Sequence, residues 1–104
     1  MKKISIVLIS SCFALITSAQ NITITNCELA YNKGNGVQMY ENSKSVIQNI
    51  VVKNNFIHHN TYGGYIQRAE NVEFTYNRII QNKYSPAIKA VDVVNGVLTP
   101  NTYQ

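Results

Sequence analysis

One pattern of about a dozen residues occurs three times, and it restricts the fold more than any other feature. Segments 21–32, 49–60 and 71–82 each open on Asn, carry apolar residues at the second, fourth and ninth places, and close on Asn. The seventh place is Asn55 and Asn77 in the second and third copies and Cys27 in the first. A partial fourth copy begins at Asn95 with Gly96-Val97-Leu98, and successive starts lie 28, 22 and 24 residues apart. Units of this length cannot bury their apolar face alone. They do so by stacking on the next copy, which is the logic of a solenoid.

Ile22/Ile24, Ile50/Val52 and Val72/Phe74 alternate with the residue between them, the period of a short strand. The Asn-rich stretch after each strand reads as a turn, because Asn tolerates a left-handed backbone and bonds its own main chain. Leu29, Ile57 and Ile79 then return an apolar side chain inward, and Gly36, Gly64 and Pro86 read as a matching turn further on. Stacked in parallel, about 4.8 Å apart, equivalent residues fall above one another. Asn55 and Asn77 are then expected to form one amide ladder, and Asn32, Asn60 and Asn82 a second. Cys27 takes the first coil's place in the Asn55/Asn77 ladder and reads as a buried, inert thiol, with a redox or cross-linking thiol as the alternative.

The Asn-apolar-x-apolar-x-x-Asn-x-apolar-x-x-Asn units from Asn21, Asn49 and Asn71, with Gly36-Val37 and Gly64-Tyr65 following, resemble the right-handed parallel β-helix of the pectin-lyase-like superfamily. The resemblance implies an all-β solenoid of about three coils over residues 20–104. The superfamily includes pectate lyases, polygalacturonases, alginate epimerases and lyases, phage tailspikes and surface proteins, so it does not by itself assign an activity. Its members usually have more coils and an N-terminal cap. With the first coil opening at Asn21, the chain reads as a truncated or rearranged relative, or as one that associates end to end with itself or a partner. A leucine-rich solenoid has no support, because no Leu-x-x-Leu-x-Leu pattern occurs.

The first 19 residues read as an export signal of bacterial type. Met1-Lys2-Lys3 is a basic start, Ile4 to Ile9 and Phe13 to Ile16 are apolar, and Thr17-Ser18-Ala19 precedes Gln20 as a small-x-small cleavage site. A lipoprotein box at Cys12 is contradicted by the apolar run continuing past it, and the stretch is short of the roughly 20 residues that span a bilayer. The mature chain is therefore expected to be secreted, periplasmic or extracellular, and off the membrane. Losing Lys2 and Lys3 takes nine basic residues to seven against five acidic, so the charge of +4 falls to +2. No Lys/Arg run remains, which argues against a nucleic-acid partner. One cysteine, Cys27, then remains, too few for an internal disulfide or a cysteine zinc site. The missing charge is replaced by amide: 14 Asn follow Gln20.

Enzymes of the resembled superfamily use a Ca²⁺ held by acidic residues with an Arg or Lys base, or two or three aspartates. This chain has one aspartate, Asp92, and four glutamates, Glu28, Glu41, Glu70 and Glu73. In the repeat register Glu28 holds the eighth place and Glu73 the third, so no stacked carboxylate pair is expected, and neither are a catalytic residue, a cofactor and a metal. Adjacent residues on a strand point to opposite sides, so His58 and His59 are not expected to share a metal. They read as turn residues, with general-base work by His59 as the sharper reading. Lys53, Arg68, Arg78 and Lys89 read as solvating charges that a sugar acid would also suit.

Aromatic residues give the clearest binding signal. Tyr62 and Tyr84 each follow a ladder Asn by two places, and His59 should lie between Tyr31 and Gln81 in register. Tyr31, His59, Tyr62 and Tyr84 therefore form a candidate strip for sugar rings, with a polysaccharide as expected partner. The favoured reading is an exported, non-catalytic β-helix, structural or weakly carbohydrate-binding. The alternatives are a remnant or subunit of a polysaccharide lyase or hydrolase, and a surface adhesin or assembly module docking through open solenoid ends.

Overall fold

The computed structural model describes residues 4–6, 14–16, 20–40 and 47–103. Its strands are β1 (Ile4–Ile6), β2 (Ala14–Ile16), β3 (Gln20–Thr25), β4 (Glu28–Ala30), β5 (Val37–Met39), β6 (Ile47–Lys53), β7 (Phe56–His58), β8 (Gly64–Thr75), β9 (Arg78–Ile80), β10 (Ile88–Val97) and β11 (Thr102–Tyr103). All of the pairings are parallel, and each joins a coil to the coil before or after it. One sheet runs β1-β3-β6-β8-β5-β2, with β10 also on β8, and a second runs β11-β9-β7-β4. The chain is a parallel β-solenoid of about three full coils.

The register is the one the repeat requires. Ile22 pairs with Ile50, Ile50 with Val72, and Val72 with Gly96. Leu29, Ile57 and Ile79 stack on the second face. The unequal coil lengths are absorbed at the corners. Met39 and Ile47 flank the extra length of the first coil, because their partners Ile66 and Ala69 lie only three places apart.

The core is a set of apolar columns. Ile24, Leu29, Met39, Ile47, Ile50, Val52, Ile57, Ile66 and Phe74 are essentially inaccessible to water. Each such side chain stabilises the coil by roughly 1.5–3 kcal/mol. Phe74 is the largest, and Gly64 makes room for it: a Cβ there would lie 2.9 Å from Phe74 Cζ. Among the described residues β10 pairs only with β8, and its Val91, Val94 and Val97 are exposed.

The left-handed backbone expected of the Asn-rich turn is found at Asn26 and Asn54, with Tyr76 in the third copy, just before the first ladder, and at Tyr31, His59 and Gln81 before the second; Asn21, Asn49, Asn71 and Asn95 share it at the repeat starts. The expected glycine alignment is corrected. The glycine turn aligns Gly36 with Gly63 and Ala87, not with Gly64, and no glycine has positive φ. Packing explains the choice. A Cβ on Gly36 would meet Ile57 Cγ2 at 2.6 Å and the Gly63 carbonyl oxygen at 2.8 Å.

The stretch read as an export signal contributes β1 and β2. Ile4–Ile6 pairs with Ile22–Ile24, and Ala14–Ile16 with Val37–Met39. The rest of that stretch, with its cleavage site and Cys12, lies outside the described residues. Among the described residues no helix is long and apolar enough to cross a membrane.

Candidate functional site

Two asparagine ladders flank the sheet of β4, β7 and β9, one before its strands and one after them. Asn55 Oδ1 accepts from Cys27 N at 2.9 Å, and Asn77 Oδ1 accepts from Asn55 N at 2.9 Å. Asn101 Oδ1 continues the row by accepting from Asn77 N at 3.0 Å. The amide nitrogens of Asn55 and Asn77 each donate forward to the next rung and back to a carbonyl of the preceding coil, as Asn77 does to Asn101 Oδ1 and to Val52 O. The second ladder runs Asn32–Asn60–Asn82 by the same rule. The ladder is directional: every Oδ1 serves the coil before it. Cys27 stands on the first rung and donates its N–H forward to Asn55. Its thiol is buried and donates to Thr25 O at 3.3 Å.

The left-handed residues before the second ladder are thrown outward by their backbone. Tyr31 (φ 59°) and His59 (φ 57°) are both exposed and stack on one another at 4.7 Å with an 18° interplanar angle. His59 N donates to Gln81 O at 3.1 Å, which completes the expected column. Lys33 and Lys83 lie one place beyond the ladder. With Asn32, Asn60, Thr61 and Gln81 these residues line an open groove of about 600 Å³ that no carboxylate lines. Tyr62 and Tyr84 lie one place further on, 5.6 Å apart and tilted by 47°. Tyr65 comes within 6.2 Å of Tyr62, and Lys89 sits over the Tyr62 ring at 5.7 Å. The four aromatic residues proposed from sequence thus form two pairs flanking the lysine column.

The adjacent histidines were expected to diverge, and they do not. His58 closes β7 with its ring buried, and the left-handed turn at His59 brings the second ring back against it. His58 Nδ1 and His59 Nδ1 are 2.6 Å apart, and His58 Nε2 is 2.7 Å from Glu28 Oε2. Phe56 stacks on His58 at 4.1 Å, and Tyr31 meets it edge-on at 5.3 Å. An ionised carboxylate only accepts, so His58 Nε2–H donates to Glu28. Neutral His58 then accepts at Nδ1 from His59 Nδ1–H, which leaves His59 Nε2 with the free lone pair. The three side chains thus stand in the order carboxylate, imidazole, imidazole.

The sequence missed Glu28 as the partner of His58 because the two differ in repeat position: the eighth place on one coil reaches the tenth on the next. Lys33 and Lys83 were also missed, although each directly follows a ladder Asn. Of the other charged residues, Lys53 pairs with Glu73 at 3.7 Å and Arg78 lies over Phe56 at 5.2 Å. Glu70 accepts from Gln48 Nε2 at 2.8 Å, and Glu73 from Thr75 Oγ1 at 2.7 Å. Among the described residues no group of three His, Cys, Asp or Glu could hold a metal.

A family model described as a right handed beta helix region matches residues 2–104. No curated protein and no solved structure matches the chain.

Proposed function

The chain belongs to the right-handed β-helix family, and from that premise we propose that it is an exported, non-catalytic solenoid that binds an acidic polysaccharide weakly. The observation that carries this reading is the groove. A stacked Tyr31–His59 pair offers a flat face to a sugar ring, while Lys33 and Lys83 offer cations to its carboxylate, with no acidic side chain among the lining residues. The carboxylates support a binding role over hydrolysis. Glu28, Glu70 and Glu73 are each held by a different neighbour and fall in different columns of the register.

Titration with oligogalacturonate and with neutral dextran tests the reading, followed by amide chemical shifts at low ionic strength. Binding of the acidic sugar alone, localised to Tyr31, Lys33, Thr61 and Lys83, is the expected result. Equal response to both sugars, or a response unchanged in Tyr31→Ala with Lys83→Ala, refutes it.

A second reading, assembly through an open end, is favoured by β10. Among the described residues it pairs only with β8, and Val91, Val94 and Val97 are exposed along it. Concentration-dependent sedimentation that is abolished by Val94→Lys would favour assembly over saccharide binding.

A further inference from the structure

We propose that the Glu28–His58–His59 chain couples binding in the groove to proton uptake, so that the histidine pair holds a proton more readily once an anionic sugar has docked. The inference rests on the reading that the groove takes an acidic saccharide. Its physical basis is the 2.6 Å contact between the two Nδ1 atoms. That contact has room for one proton. With the pair neutral, His59 Nε2 is the vacant position, on a ring that lines the groove together with Lys33 and Lys83. A proton added there turns two nearby cations into three without breaking any hydrogen bond in the chain. A second added proton would set two N–H groups against each other across 2.6 Å, so the pair charges once while it stays in contact.

The surroundings determine the direction of the coupling. From the coil before come the carboxylate of Glu28, the phenol of Tyr31 and the ammonium of Lys33. From the coil after come Lys83 in the groove, with Gln81, and Arg78 behind Phe56. Glu28 reaches His58 from the side opposite His59, so it steadies an imidazolium while lying outside the groove lining. Lys33 and Lys83 oppose the extra charge in the empty groove. A bound carboxylate removes that opposition, so binding and protonation favour each other reciprocally.

The test is calorimetry of the full chain with oligogalacturonate, in buffers of differing ionisation enthalpy, at about pH 5.5, about pH 6.5 and about pH 8, across the range over which imidazole titrates. The sugar carboxylate stays ionised throughout this range. The expected result is uptake of about 0.4 proton per ligand at most, reached between the two end points, with affinity about fivefold higher at the acidic end, the most an exposed ion pair typically gives. His59→Phe removes the accepting Nε2, so whatever binding it retains should carry no proton uptake from this pair. Glu28→Gln should bind with reduced uptake. Binding with zero uptake and equal affinity at every pH overturns the coupling and leaves the groove reading intact. No binding at any pH overturns both.

Discussion

Replacing Asn77 by Leu should cost far more than replacing Asn101 by Leu, although both belong to the same ladder. Asn77 is 1% exposed. Its Oδ1 accepts from Asn55 N at 2.9 Å and Asn55 Nδ2 at 3.0 Å, and its Nδ2 donates to Val52 O and Asn101 Oδ1, both at 3.0 Å. Leucine has a similar volume and offers none of these bonds. Asn55 N–H, one Asn55 amide hydrogen and the Val52 carbonyl then lose their partners inside the solenoid. Each such buried group costs about 1–3 kcal/mol. The sum is roughly 3–9 kcal/mol, a large fraction of a small domain's total stability. Asn101 is only half-buried and has the last observed rung of its ladder, so water replaces part of what it gives, and Asn101→Leu should cost about 1–2 kcal/mol. Urea unfolding followed by circular dichroism measures both. A chain unfolded without urea counts as a loss at least equal to the whole stability. Asn77→Leu within about 1 kcal/mol of the parent, or equal costs at the two positions, would show that the ladder does not hold the coils together.

The glycines give an internal contrast. Gly36→Ala should destabilise by about 1–3 kcal/mol through its contacts with Ile57 and the Gly63 carbonyl, whereas Gly34→Ala meets nothing within 4 Å and should be neutral or slightly stabilising in a thermal melt. Phe74→Ala should cost about 3–5 kcal/mol, because the ring spans the interior to Gly64, and a loss under about 1 kcal/mol by urea titration would mean that the core is not packed as described. Cys27, buried and bonded to Thr25 O, should react with a disulfide reagent at least about tenfold more slowly in the folded chain than in urea, and equal rates would place it at the surface.

The coil register was legible in the sequence because parallel stacking makes every coil present the same residue type at the same place. Asn in the seventh and twelfth positions, and apolar residues in the second, fourth and ninth, carry that information without any knowledge of the backbone. The column of Tyr31, His59 and Gln81 followed from the same counting, as did the proximity of Tyr62 to Tyr84. Counting failed where the backbone leaves strand geometry. Strand alternation predicts that His58 and His59 diverge, yet one left-handed residue is enough to fold the second ring back onto the first. The left-handed turn was legible at Asn26 and Asn54, whose type tolerates that conformation, but not at Tyr76, Tyr31, His59 and Gln81, where the ladder Asn that follows is held inside by its amide bonds and the residue before it makes the bend. Glycine alignment failed for a different reason. Gly36 and Gly63 are matched by the room available under Ile57 and Ile79, which is set by packing between coils and not by conformational preference.

The sequence by itself thus determined the solenoid, its period, its apolar columns and its two asparagine ladders, since each is a periodic demand that repeated residues meet. The tertiary structure alone decided the site. Glu28 and His58 meet diagonally between coils, thirty positions apart along the chain and in no shared column. The groove between Lys33 and Lys83 exists because left-handed turns push Tyr31 and His59 out of the core, and contacts of that kind depend on side-chain reach across 4.8 Å layers, which no periodicity encodes.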